Sequence, residues 1–253
     1  MTRPRPISWR TFQQRLDSLG VPLSSAQLEL LRSYADLLLT ANRRVNLTAL
    51  RDEPSLLEKY HLDALSLLPI IARYADMTVE ALLQQPWQAV DVGSGGGAPA
   101  LPLAIAWPRL HYVLIESIAK KARFLAETGR ALGLNVEVIN ARAEEVGQSP
   151  RHRQQYDLVT ARAVAALPTL VELTLPLART GGLIVLPKGP KAGEETAAAA
   201  RAIALLGGEL AGVDQVMIPG GEETRTAVII RKIASTPAVY PRRSGVPARK
   251  PIH

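Results

Sequence analysis

Cysteine is absent from this 253-residue chain, and with it go disulfides, thiolate metal sites and cysteine nucleophiles. Only four histidines occur, at His61, His111, His152 and His253, and they are too scattered to suggest a histidine-built metal site. No stretch reaches the roughly 18 uncharged apolar residues that a membrane span requires. Residues 1–10 lack the apolar run of a secretory signal, so a cytoplasmic location without a membrane partner is expected. What is present is a normal core supply. At 47% apolar and 21% charged residues, a sizeable folded body is predicted and wholesale disorder is excluded.

The formal charge is +7, and its location says more than its size. Arg3, Arg5 and Arg10 stand at one end, and Arg231, Lys232, Arg242, Arg243, Arg249 and Lys250 at the other, with no acid among either group. All 23 acids lie between, so the body is close to neutral and the ends are basic. Such arms suit a phosphate-rich partner, or serve only solubility; charge alone does not choose.

Periodicity divides the chain into residues 1–86, 87–233 and 234–253. The first part reads as helical. Ser24-Ser25 offers an N-cap, and Leu28, Leu31, Tyr34, Ala35 and Leu38 follow at helical spacing. The pattern breaks at Asn42–Thr48 and resumes from Pro54 to about Ala72. From Ala89 the period changes. Strand-length apolar runs at 89–92, 112–115, 136–139, 158–160 and 183–186 alternate with helical stretches near 101–106, 118–132, 142–146, 167–179 and 191–206. Five such units predict an α/β fold with a parallel sheet covered on both faces. Glu209–Ile218 and Thr226–Lys232 then read as an antiparallel hairpin across a Pro-Gly-Gly turn, before a basic, proline-rich tail.

The chemical signal begins at Val90–Gly97, VDVGSGGG. A strand running into glycines lets the backbone approach a ligand where a Cβ would block it. Twenty-three residues after Gly93, Glu116 ends the second strand, where a carboxylate can accept two ribose hydroxyls. The order describes a nucleoside site. A dinucleotide reading through Gly93, Gly95 and Ala98 is weakened by Pro99 and Pro102, which leave no evident anion cradle at the helix start. Asp91, two residues before Gly93, makes the pattern D-x-G-x-G-x-G of S-adenosylmethionine-dependent methyltransferases, and the terminal hairpin is also their habit. No phosphate-binding G-x-x-x-x-G-K-[ST] occurs.

Further motifs carry a closer resemblance. Asn42–Thr48 (NRRVNLT), Tyr60–Leu65 (YHLDAL), Val90–Leu103 (VDVGSGGGAPALPL), Lys120–Leu125 (KKARFL), Ala141–Glu145 (ARAEE), Ala161–Leu167 (ARAVAAL), Lys188-Gly189 and Thr236–Ile252 (TPAVYPRRSGVPARKPI) occur in order. Together they resemble the RsmG family, also called GidB, over roughly residues 30–252. The resemblance implies a Rossmann-like class I methyltransferase domain with an N-terminal helical segment. It also implies transfer of methyl from S-adenosylmethionine to guanine N7 of 16S ribosomal RNA, near the decoding centre of the small subunit, by a monomeric protein. Ala98 and Ala100 depart from the Phe or Leu and the Gly usual there, and Pro187 precedes Lys188.

Roles follow from both readings. The cofactor is expected along Gly93 to Ala98 and along Glu116, Ser117 and Ile118, with Gly93 near its amino-acid end. By resemblance, Ala143 and Glu144 flank the adenine, and Arg162 belongs to the cofactor or substrate pocket. Asp91 is expected to orient the loop and His61 to be a satisfied structural histidine. Lys120, Arg123, Lys188 and, with less force, Lys121 and Lys191 would make the cofactor edge basic for RNA. Arg242, Arg243, Arg249 and Lys250 read as four unpaired cations of an extended RNA arm, whose deletion should leave the melting temperature nearly unchanged. No cysteine supports pyrimidine C5 chemistry, and the loop after the fourth strand, TARA, lacks the N/D-P-P-Y/F of amine methylation. Guanine N7 has a lone pair and no proton to lose, so positioning suffices and no catalytic base or metal is expected. A nicotinamide oxidoreductase and a non-enzymatic RNA assembly factor stand as rivals, distinguished by NAD binding and by absence of turnover.

Overall fold

The computed structural model describes residues 7–216 and 225–252. Arg3, Arg5, Ile218, the Pro-Gly-Gly turn and His253 lie outside the described residues.

Helix α1 spans Trp9–Ser18, capped by Ser8, whose side chain accepts from Thr11 N–H. Ser24 caps α2 (Ser25–Val45), where Ser24 and Gln27 form a reciprocal capping box. The buried residues Leu31, Tyr34, Ala35 and Leu38 of α2 recur on one face, and each buried leucine contributes about 1.5–3 kcal/mol. Asn42 does not break this helix. It is buried near the end, its amide nitrogen donating to the Thr48 and Leu50 carbonyls while its oxygen accepts from Leu47 and Thr48 N–H. The helix ends later, at Asn46, in a left-handed conformation. The next rod consists of α3 (Glu53–Leu56), a π turn (Leu57–Leu62), α4 (Asp63–Leu65) and α5 (Leu67–Tyr74), followed by α6 (Val79–Leu82). Asp52 caps its start by accepting from Ser55 N–H.

Among the described residues seven strands form one sheet in the order β3-β2-β1-β4-β5-β7-β6. Strands β1 (Gln88–Val92), β2 (His111–Ile115), β3 (Val136–Ile139), β4 (Tyr156–Thr160) and β5 (Ala178–Lys188) are parallel. Strands β6 (Gly208–Val216) and β7 (Arg225–Lys232) pair antiparallel, β7 also against β5. Between them run α7 (Ala100–Ala106), α8 (Ala119–Ala131), α9 (Ala143–Gln148), α10 (Leu167–Thr174) and α11 (Ala192–Leu205). Helix α10 is shorter than its sequence pattern suggests. Pro176 cannot continue it, and β5 takes over at Ala178.

Alternation along the strands sorts two cores. Ala89, Tyr112, Leu114 and Leu158 face the N-terminal helices with α7 and part of α8. Val90, Val92, Val113, Ile115 and Val159 face α9, α10 and α11. The N-terminal helices therefore form one outer layer of the sheet sandwich.

Because β7 is antiparallel, it delivers the chain to the amino edge of the sheet. From there the tail crosses the second face. Arg153 donates to the Thr236, Pro237 and Tyr240 carbonyls, Arg242 pairs with Glu172 of α10, and Gly245 N–H donates to Glu144 at the start of α9. A short helix, α12 (Val246–Arg249), follows, with proline in its first turn, where no N–H is needed. The expectation of an extended tail with four unpaired cations is thus corrected at two places: Val246–Arg249 is helical, and Arg242 is paired. Its acid, Glu172, lies 70 residues upstream, where a count of local charge cannot see it.

Candidate functional site

The site lies at the carboxyl edge of the parallel strands. At the end of β1, the N–H groups of Gly93 and Ser94 both donate to the Ile115 carbonyl, at 2.9 and 3.1 Å. Gly93 has φ +71°, and a Cβ there would lie 2.7 Å from Val164 Cγ2 on the loop after β4. Two requirements meet at this glycine, a left-handed backbone and close packing. Gly97 serves another purpose. A Cβ on it would lie 2.6 Å from the Tyr34 hydroxyl and from Leu101. The second half of the glycine run is fitted to α2, and the Tyr34 hydroxyl donates to the Gly96 carbonyl at 2.6 Å.

Glu116 is buried directly after β2. Its carboxylate accepts from Gly95 N–H at 2.9 Å and from Ile118 N–H at 2.8 Å. A carboxylate offers about four acceptor positions, so these two bonds fix its orientation and leave capacity for ligand hydroxyls. The sequence reading missed Asn140, whose amide donates to the Glu116 backbone carbonyl at 2.8 Å. A polar residue at the end of β3, one strand over from the acid, was the available signal. Ser117 and Ile118 are exposed beside Glu116, Ala98 is buried behind the glycine run, and Ala143 opens α9. These residues make a cradle with a fixed carboxylate at one side, which fits a nucleoside cofactor.

Asp91 is buried between β1 and β4. The Thr160 hydroxyl donates to it at 2.6 Å and stands 2.7 Å from the Tyr112 hydroxyl. Burial pushes its carboxyl up to about 6, with Thr160 and Ser94 opposing that shift. His61 is buried among Trp9, Phe12, Tyr34 and Tyr60. Neither ring nitrogen has a hydrogen-bond partner among the described residues, so the expected satisfied histidine is corrected to an unsatisfied one. Burial pulls its pKa down to about 3, and it stays neutral.

Arg162 follows β4 by two residues. Its Nη1 lies 2.9 Å from Asp63 Oδ2 and donates to the Lys59 carbonyl at 3.3 Å, and its guanidinium carbon lies 4.7 Å from the centre of the Tyr60 ring. Lys120 and Arg123 are exposed on the first turns of α8. Lys188 is instead drawn inward. Its Nζ donates to the Ala165 carbonyl and to Glu195, both at 2.8 Å, and Glu195 also accepts from Leu167 N–H. Arg242 likewise makes a bidentate pair with the fully buried Glu172, while Arg243, Arg249 and Lys250 are exposed.

A family model described as "rRNA small subunit methyltransferase G" matches residues 27–224. The chain belongs to this family, GidB. Among curated GidB relatives, ribosomal RNA small subunit methyltransferase G of Roseiflexus castenholzii is 47% identical over 236 residues, covering 93% of this chain and 96% of that protein. The protein of the same description from Chloroflexus aggregans is 44% identical, covering 92% and 93%. The cofactor-bound Rv0187 protein from MTB superposes with a TM-score of 0.55 at 18% identity, covering 91% of this chain and 99% of that one. The fold is that of class I S-adenosylmethionine-dependent methyltransferases, and as a GidB member the chain is a methyltransferase of small-subunit ribosomal RNA.

Proposed function

We propose that the chain transfers the methyl group of S-adenosylmethionine to N7 of a guanine in 16S ribosomal RNA, near the decoding centre of the small subunit. The observation that carries the placement is the Glu116 carboxylate, held by the Gly95 and Ile118 N–H groups beside the left-handed turn at Gly93. When bound, S-adenosylmethionine supplies a methyl group activated by its sulfonium. This chain's residues bind and orient. Gly93 and Ala98 line the amino-acid side, Glu116 takes the ribose hydroxyls with Ser117 and Ile118 beside it, Ala143 and Glu144 flank the adenine, and Arg162 faces the pocket.

Guanine N7 presents its own lone pair, so the side chains need only exclude water and hold the two reactants in line. The RNA rests on Lys120, Arg123, Arg243, Arg249 and Lys250, the exposed cations of the expected set. Lys188 and Arg242 hold the framework beneath. The protein acts as a cytoplasmic monomer, on an RNA whose target base is splayed from its helix.

Two measurements test this. Nucleosides from 16S ribosomal RNA of cells with and without the protein should differ by 7-methylguanosine; a difference in 5-methylcytidine or an N-methyl amine instead overturns the reading. Glu116→Ala should weaken S-adenosylmethionine binding by about 1–3 kcal/mol, since it strands buried donors. Unchanged affinity would remove Glu116 from the site.

A further inference from the structure

Arg162 belongs to the loop after β4, yet among the described residues its side chain bonds to another part of the chain. Its Nη1 reaches the Asp63 carboxylate at 2.9 Å and the Lys59 carbonyl at 3.3 Å, and its guanidinium covers the Tyr60 ring at 4.7 Å. These three partners lie within five residues of the π turn and the first residue after it. A π turn widens the helix and takes carbonyls out of the regular ladder, which lets one of them accept from a side chain, and such turns occur often at functional sites. The Asp63 carboxylate is buried, and a buried carboxylate without a cation is strongly disfavoured. At 2.9 Å the guanidinium has a charge-assisted bond to this buried group that water does little to weaken.

The same loop closes on the glycine run. Ala163 is left-handed at φ +57°, and Val164 sits against Gly93. Arg162 uses only Nη1 of its five-donor fork in these bonds, leaving Nε and Nη2 for a ligand. Holding one arm of a planar fork fixes the direction of the other.

We propose that Asp63 is a positioning residue: with the Lys59 carbonyl and the Tyr60 ring it locks the guanidinium of Arg162, so that the remaining donors meet the bound cofactor or guanine in one orientation. This rests on the placement of Arg162 in the pocket given above.

The test uses the full chain and four variants: Asp63→Asn, Arg162→Ala, the two combined, and Arg162→Lys. S-adenosylmethionine affinity is measured by calorimetry, kcat and KM on small-subunit RNA by methyl transfer, and stability by melting. Asp63→Asn should lower cofactor affinity or kcat about tenfold, the equivalent of one strong hydrogen bond, while KM for RNA holds. Arg162→Lys should fail to restore function, because an ammonium cannot be held at one arm and donate from another in a fixed plane. In the Arg162→Ala background, Asp63→Asn should cost nothing further.

If Arg162→Ala leaves affinity and turnover intact, the placement of Arg162 fails and the positioning role falls with it. If Arg162→Ala is harmful and Asp63→Asn is not, the placement stands and the positioning role is overturned. An equal loss from Asp63→Asn with or without Arg162 also overturns it, since that is the mark of a general structural residue. Should Asp63→Asn fail to fold, Asp63→Glu keeps the pair and displaces the guanidinium by one methylene. Lost function at an unchanged melting temperature then supports the role, and intact function overturns it.

Discussion

The N-terminal helices and the C-terminal tail are both appended to the five βα units, the helices packed on one face of the sheet and the tail laid over α9 and α10 on the other side. They are held by opposite means. The helices bury a leucine-rich side that includes Leu31, Leu38, Leu57, Leu65 and Leu68 in the first core. The tail contributes few apolar side chains and is tied by polar clamps: Arg153 to three tail carbonyls, Arg242 to Glu172, Gly245 to Glu144, and the Thr169 hydroxyl to the Pro247 carbonyl. An apolar layer loses stability in proportion to the volume removed. A polar clamp loses it when one partner is left alone.

The sharpest break of this contrast is Arg242→Ala. It strands a fully buried carboxylate at Glu172, and urea unfolding should show a loss of about 3–5 kcal/mol. Adding Glu172→Gln should recover most of that loss, because no charge then remains buried. On the other face Leu38→Ala should cost about 2–5 kcal/mol, and no second substitution that only removes charge should recover it. Leu38 also lies against the glycine run near Gly96, so its loss should loosen cofactor binding as well.

Each face also carries a fully buried base, His61 on one and Lys232 on the other, and pH separates them. His61 has a folded pKa of about 3, below its ordinary 6.5, because burial disfavours the charged ring. The unfolded chain takes up the proton first, so this contribution to stability is present above 6.5 and is lost as pH falls from 6.5 towards 3. Lys232 donates to the Leu206 carbonyl and the Thr236 hydroxyl where the tail begins, and burial lowers it from 10.5 to about 7. Below 7 both folded and unfolded chains hold that proton. Between 7 and 10.5 only the unfolded chain does, so stability rises with pH across that window. Melting curves of His61→Phe and Lys232→Met against the parent should diverge in those two windows, respectively. Divergence of both variants in the same window would erase the distinction between the faces.

The smallest effect is expected at Arg249, which is exposed and whose side chain, among the described residues, bonds only to the Gly245 carbonyl. Arg249→Ala should change stability by less than about 0.5 kcal/mol and flatten the salt dependence of RNA binding by about one unit. An unchanged slope would remove Arg249 from the RNA face.

Features written in nearby residues were legible in the sequence. The apolar runs at 89–92 and 112–115, and the run of glycines ending at Gly97, are patterns only a few residues long. Glu116 stands where that reading put it, directly after β2 with its carboxylate bonded to Gly95 N–H. Partnerships across the fold were not legible. Asp63 and Arg162 are 99 residues apart, and Arg242 and Glu172 are 70 apart, so no local pattern joins them. The tail was misread in part for that reason: Arg242 looks unpaired only when neighbours in sequence are counted. Asn42 was misread for the opposite reason. A polar residue that stitches the following loop resembles a helix break, although the helix runs three residues beyond it.

The antiparallel direction of β7 has a consequence for the order in which the structure can close. The tail starts at the amino edge and must traverse a whole face before Gly245 reaches Glu144, a contact that spans 101 residues. Closing a loop of that length carries an entropic penalty that nearer contacts do not share, so this contact forms on a platform that β3, α9 and α10 have already built. Until Arg242 arrives, the Glu172 carboxylate lacks the guanidinium that pairs with it in the finished fold. A polypeptide halted anywhere before residue 242 therefore exposes a soft flank, one that a protease can cut and a finished chain conceals.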